Sequence, residues 1–149
     1  MEKGRKNADR LDRYYTPERI SNALAEWAIQ NPRCRVLDPS FGGCSFFRAA
    51  IGTLKRLGAK EPGKLLHGVD IDPEARQHLA GLSDTRIDKA NFLTADFLGI
   101  GPEQVSNFRF QAVLGNPPYT RHHLISDKFK LRDSLNLRNG SGLSARASY

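Results

Sequence analysis

Sulfur, acidic charge and long apolar runs are what this sequence has little of. Its 149 residues include two cysteines, one methionine and one tryptophan. Cys34 and Cys44 are too few for a disulfide framework and have no paired zinc spacing, so neither a stapled scaffold nor a metal module is expected. No apolar run approaches the ~18 residues a membrane-crossing helix needs. Met1-Glu2-Lys3-Gly4-Arg5-Lys6 has no apolar stretch behind it, which argues against a secretory leader. The 16 Asp+Glu stand against 23 Lys+Arg, a formal net charge of +7. What is present suffices for one core: 39% apolar and 26% charged residues exclude a mainly disordered chain. The expectation is a soluble, basic α/β domain of a reducing compartment, without metal or membrane.

The charge is uneven. Residues 1–33 sum to +2, residues 34–120 to +1, and residues 121–149 to +4. Such a tail is either a solvated basic face or a phosphate-contacting one, because clustered Lys and Arg release counterions from a polyanion. Residues 1–13 lack periodicity and read as a mobile charged arm.

Thr16-Pro17-Glu18 reads as a helix start, with Thr16 as cap, Pro17 in the first turn and Glu18 at the positive end of the dipole. Ile20, Leu24, Trp27 and Ala28 then form one stripe, predicted to be buried, and Asn31-Pro32 ends the helix. Arg35 to Asp38 reads as a short strand. After the loop Pro39-Ser40-Phe41-Gly42-Gly43, a second helix carries Phe46, Phe47, Ala50, Ile51, Leu54 and Leu57, with Gly58 at its end. Leu65–Ile71 is a second strand, and Asp72-Pro73 caps and opens a third helix to about Leu79. Asn91–Phe97 and Gln111–Gly115 are strands three and four. Beyond them lies a basic loop with weak helical character over Asp127–Leu137 and a Ser/Gly-rich end.

Strands alternating with helices at this spacing imply right-handed crossovers and a parallel sheet, whose ligands sit outside the carboxyl ends of the strands. Those ends carry Asp38, Asp70, Asp96 and Asn116. Each has a plain reading alone: a glycine turn, a helix cap, a surface acid, a rigid turn. Four polar side chains at four consecutive strand ends are hard to explain as packing. Gly42 and Gly43 let the backbone approach a ligand, while Asp38 would repel a pyrophosphate and suits an ammonium. G-x-G-x-x-G is absent. Asp70 stands where α/β nucleotide binders place a ribose hydroxyl acceptor. Asp96 can accept from an exocyclic amine, with Ile71 and Phe97 as apolar walls for a flat base.

The strongest signal is Asn116-Pro117-Pro118-Tyr119. Two prolines remove two donors and stiffen the backbone, so nearby carbonyls can face a ligand. An amide oxygen and a backbone carbonyl can hold both hydrogens of a planar amine and favour the pyramidal, nucleophilic form. Tyr119 offers a stacking face for a base taken out of its helix. His122 and His123 read as a solvated loop pair.

These residues resemble the aminomethylating, S-adenosylmethionine-dependent DNA methyltransferases of the adenine-N6 type. Asn116-Pro117-Pro118-Tyr119 matches that family's catalytic motif, and Asp38-Pro39-Ser40 with Gly42 resembles its first cofactor motif. Asp70, followed by Ile71, resembles its ribose-binding acid, Asp96-Phe97 its adenine-contacting pair, and Tyr15-Thr16-Pro17 the motif that helps enclose the cofactor. The resemblance implies that Asp38 binds the methionine amino group and that Gly42 makes room for the methionine portion. It implies that Asp70 accepts from both ribose hydroxyls and Asp96 from the adenine amine. Asn116 and the Pro117 carbonyl would hold the target amine, and no metal is needed.

The chain departs from the pattern in two places. Cys44 stands where the family's loop usually has a second glycine, and only thirty residues follow Tyr119. The expected architecture is therefore a partial Rossmann-like methyltransferase sheet of about four parallel strands with flanking helices, lacking the later strands, in a truncated product or one half of a split enzyme. Residues 14–120 would be the cofactor-binding and catalytic core and 121–149 a basic, cut-off continuation, with strand four an exposed edge. Implied partners are double-stranded DNA with a flipped adenine and a second chain supplying the missing strands and target recognition. The implied setting is a restriction-modification or DNA-modification system in a bacterial or archaeal cytoplasm, at the nucleoid. The rivals are methylation of release-factor glutamine or of RNA guanine, and a non-catalytic remnant that binds DNA or a partner.

Overall fold

A computed structural model describes residues 16–82, 85–107 and 109–117, all within one compact unit spanning 15–117. The arm 1–13, the tail 121–149, the histidine pair, and Tyr15, Pro118 and Tyr119 lie outside the described residues. Four strands form one sheet: β1 (Val36–Asp38), β2 (Leu66–Asp70), β3 (Phe92–Thr94) and β4 (Ala112–Val113). Their order is β3-β2-β1-β4 and every pairing is parallel. The order reverses at β1, so the crevice such sheets use for ligands opens at the carboxyl ends of β1 and its neighbours. Among the described strands β4 is an edge, as expected.

Registers Val36↔Leu66, Gly68↔Phe92 and Val36↔Ala112 set which side chains share a face. Strand side chains alternate, so Val36, Leu66, Phe92 and Ala112 line one face, joining the core with α1 (Glu18–Ala28) and α2 (Ser45–Arg56). α2 buries Phe46, Phe47, Ala50, Ile51 and Leu54 as the periodicity predicts, while Leu57 is its C-cap and is partly exposed. Gly58 follows at φ +94° and donates to the Lys55 carbonyl, the left-handed stop read from the sequence.

α1 corrects the sequence reading. Its buried residues are Ser21 and Ala25, followed by Ile29, while Ile20, Leu24 and Trp27 are 51%, 41% and 78% exposed. The small face is the buried one because α1 lies directly on α2, where Ser21 and Ala25 permit close approach. The helix also begins one residue later than predicted, with Pro17 in the cap position and no side-chain cap, and ends at Ala28, before Asn31-Pro32.

Two further boundaries shift. Asp72 caps as predicted, accepting from the Glu74 N–H, but Pro73–Gly81 is a 3-10 helix. Only Ala75 and Leu79 face the core there, too few to specify an α-helical stripe. Asn91 and Phe97 fall in short 3-10 turns flanking β3. A four-residue helix, α3 (Pro102–Val105), precedes β4.

Candidate active site

The loop after β1 is held from below by an aromatic trio. Phe41 is buried and packs on Phe47 (5.7 Å) and Phe92 (5.8 Å), which meet edge-on at 5.5 Å. All three rings sit over Gly68 in β2: a Cβ there would lie 2.7 Å from Phe41 and 3.0 Å from the other two. A glycine inside a strand often marks such an approach, so Gly68 and Phe41 were legible signals that the motif reading left unused.

Above this anchor, the Gly42 N–H donates to Asp70 Oδ2 at 2.8 Å, tying the β1 loop to the end of β2. Asp70 Oδ1 accepts the Asp72 N–H at 2.9 Å, and the Asp70 carbonyl accepts the Ala95 N–H at 2.9 Å. Asp70 therefore joins three strand ends. Gly42 takes φ +40°, a conformation that favours glycine. Cys44 takes φ +63° at the start of α2, a left-handed conformation that glycine adopts without strain. Its thiol is buried and pushed up to about 12, chiefly by desolvation with Asp38 and Asp70 adding and Arg48 opposing, so it stays protonated.

Asp38 closes β1 at 1% exposure, and its Oδ1 accepts the Ser40 N–H at 3.0 Å. Burial raises its carboxyl to about 7, the Ser40 N–H opposes the rise, and the charge of Asp70 adds to it. Next to it, Ser40 Oγ is shielded from solvent without a hydrogen-bond partner among the described residues.

β4 runs alongside. Leu114 N–H donates to the Leu37 carbonyl at 2.9 Å, which carries the pairing past Val113 and sets Gly115 against the loop. A Cβ on Gly115 would lie 3.0 Å from Pro39 and 3.1 Å from Asp38 Oδ1. Gly115 is thus a site residue that the motif reading missed, although a glycine directly before Asn116 signals a close approach. Asn116 Nδ2 donates to Thr16 Oγ1 at 3.2 Å, so Thr16 does not cap α1 as predicted.

At the end of β3, Asp96 is exposed and accepts the Leu98 N–H at 3.0 Å; Phe97 is half-buried. Ile71 stands 65% exposed beyond Asp70, an apolar side chain at the lip of the crevice. These contacts, with the loop 39–41 joining Asp38 to Gly42, link Ala95, Asp70, Gly42, Asp38, Gly115, Asn116 and Thr16 across four strand ends. Asp96 joins them through its neighbour Ala95 and not through its own carboxylate.

A parallel sheet reversing at its first strand, with Asp38 and Asp70 closing two strands, Asp96 just beyond the third and Asn116-Pro117 just beyond the fourth, is a partial Rossmann-like methyltransferase fold. The methyltransferase subunit of a type I restriction-modification system from Streptococcus thermophilus shares this fold, at a TM-score of 0.53 and 19% identity over 78% of this chain and 27% of that one. A family model described as N-6 DNA Methylase matches residues 2–143, and the chain belongs to that family. It is 31% identical over 143 residues to the Type II methyltransferase M.XamI of Xanthomonas campestris pv. amaranthicola, a match covering 94% of this chain and 25% of that protein. The chain thus spans about a quarter of the length of each relative. The family's chemistry calls for a methyl donor. Among the described residues, no helix is long and apolar enough to cross a membrane, and no cluster of His, Cys, Asp or Glu is placed to hold a metal ion.

Proposed function

We propose that this chain carries the cofactor-binding and amine-positioning part of an enzyme that methylates N6 of adenine in double-stranded DNA, in a restriction-modification or DNA-modification system, with S-adenosylmethionine as donor. The observation that carries the reading is the packing of Gly115 on Asp38-Pro39, which sets Asn116 beside the end of β1.

The residues fit that donor. A buried carboxyl with one N–H on it, a Ser40 hydroxyl with no partner among the described residues, a glycine at positive φ and an exposed Ile71 present an acid, a polar wall, open backbone and an apolar wall in turn. Asp38 would take the methionine ammonium, which favours its ionised form; binding near neutral pH then displaces a proton from Asp38. Asp70 would accept from the ribose hydroxyls with the lone pairs left beside its two N–H bonds. Asp96 would accept from the adenine amine, between Ile71 and Phe97. When bound, the donor supplies an electrophilic methyl group on a sulfonium.

Asn116 Oδ1 and the Pro117 carbonyl would accept the two hydrogens of the target amine, turning its lone pair outward. Positioning and charge placement are the protein's contribution. Tyr119 would stack on the flipped base, and Pro118 would stiffen the turn. The partners are DNA and, given the relatives' greater length, a further segment or second chain for target recognition. The workplace is the cytoplasm beside the nucleoid.

Calorimetric titration with S-adenosylmethionine, followed by transfer of labelled methyl to adenine-containing duplex DNA, tests the reading. Saturable binding and label in N6-methyladenine are expected. Label in protein or RNA with none in DNA would overturn the substrate, and a folded chain that ignores the cofactor would overturn the site.

A further inference from the structure

Because α1 buries its small side, its large apolar side chains face outward. Ile20 and Trp27 are two helical turns apart and share one line along the outer face, with Ala23 and Leu24 between them. All of these are exposed, and Trp27, the single tryptophan of the chain, is the most exposed at 78%. Scattered apolar residues on a surface are ordinary, but a continuous stripe of large ones on one helix marks a contact surface.

Charge narrows what fits it. α1 holds two acids, Glu18 and Glu26, and one base, Arg19, so its face does not draw a polyanion although the chain carries +7. Arg19 and Glu26 are also two turns apart, so they lie along one flank of the stripe, from which Glu26 reaches Arg56 of α2 at 2.6 Å. A base and then an acid along one flank match a copy of themselves running the other way. A two-fold axis across the helix, between Ala23 and Leu24, sets Ile20 against Trp27 of the second copy. It also sets Leu24 against the small Ala23 and Arg19 against Glu26, and each contact occurs twice. Parallel helices would instead bring the charged flank against the Leu24 side.

We propose that the outer face of α1 is a homodimer contact, through which two copies of this chain pair their α1 helices antiparallel. These few side chains cover less than the about 800 Å² per partner of a standard complex, so association is weak, with a dissociation constant of about 10–100 μM.

Sedimentation velocity on the full 149-residue chain across that concentration range, with Trp27 emission read on the same samples, is the test. Monomer should pass to dimer as the emission shifts to the blue over the same range. Ile20→Lys and Leu24→Lys, both at exposed positions, should stay monomeric. Arg19→Glu alone and Glu26→Arg alone should each dimerise about 10-fold more weakly, because like charges then meet at both ends. Mixing those two variants should restore association, since the mixed pair sets unlike charges together at both ends. Only a contact between two chains gives that rescue.

A chain that stays monomeric throughout would overturn the proposal. So would a dimer with unchanged Trp27 emission, which would place the contact elsewhere, as at the exposed edge of β4. A mixture that associates no better than its components would overturn the antiparallel pairing, and the proposal with it.

Discussion

The two flanks of the crevice are built differently. At the ends of β1 and β2 the polar groups are committed before any ligand arrives: Asp38 is buried, both Asp70 oxygens carry backbone N–H groups, and Phe41 nails the loop to the core. At the end of β3, Asp96 is exposed and does no more than cap a three-residue turn. One flank is preorganised and the other open. A committed flank holds a ligand with little reorganisation, and its defects cost stability as well as binding. The open flank can lose a side chain without the fold noticing.

The sharpest test of the contrast is pH. The Asp38 carboxyl, ordinarily near 3.8, sits at about 7 in the folded chain, first because of burial. The folded state then binds that proton more tightly than the unfolded state. Its stabilising contribution is complete below about 4 and lost as pH climbs through about 7, by at most about 1.4 kcal/mol per pH unit. Asp38→Asn should therefore gain on wild type from pH 4 to 7 and hold a constant lead above it, in urea midpoints. Parallel pH profiles would remove the burial argument.

Next in size is the anchor. Gly68→Ala forces a methyl among three rings, and a loss of about 1–3 kcal/mol is expected, together with weaker cofactor binding because Phe41 carries the loop. Stability lost with cofactor affinity kept would show that the loop does not depend on its anchor. Cys44→Gly removes a side chain from a left-handed backbone position and should stabilise by about 1 kcal/mol, read as a higher denaturation midpoint. A drop would mean that the buried thiol's packing outweighs the strain. Smallest is Asp96→Ala, for which a stability change below about 0.5 kcal/mol is expected with a measurable loss of cofactor affinity. The reverse pattern would make the two flanks alike.

α1 shows where reading the chain fell short. Ile20, Leu24 and Trp27 have the spacing of a buried stripe, and the amphipathic pattern is real. Which side goes inward is a matter of what the helix meets, and α2 left room only for Ser21 and Ala25. Thr16 was misplaced for a similar reason. A Thr before Pro-Glu has every local mark of a cap, but a partner 100 residues away took its hydroxyl. Strand ends were easier where a polar residue closes the strand, as Asp38 closes β1 and Asp70 closes β2. Asp72 and Gly58 were easier still, because a cap and a left-handed stop depend on a few adjacent residues. The roles of Gly68 and Gly115 rest on what lies across the sheet, and a single strand does not carry that information.

The sequence by itself determined an alternating α/β chain, its four polar strand ends, its glycine loop and its Asn-Pro-Pro-Tyr motif, because local backbone chemistry and periodicity write those features residue by residue. Only the tertiary structure decided the order β3-β2-β1-β4, the face on which α1 is buried, the burial of Asp38 and the meeting of Asn116 with Thr16. Those depend on contacts between segments far apart in the chain, where packing, solvent exclusion and hydrogen-bond geometry choose among options that the local sequence leaves equal.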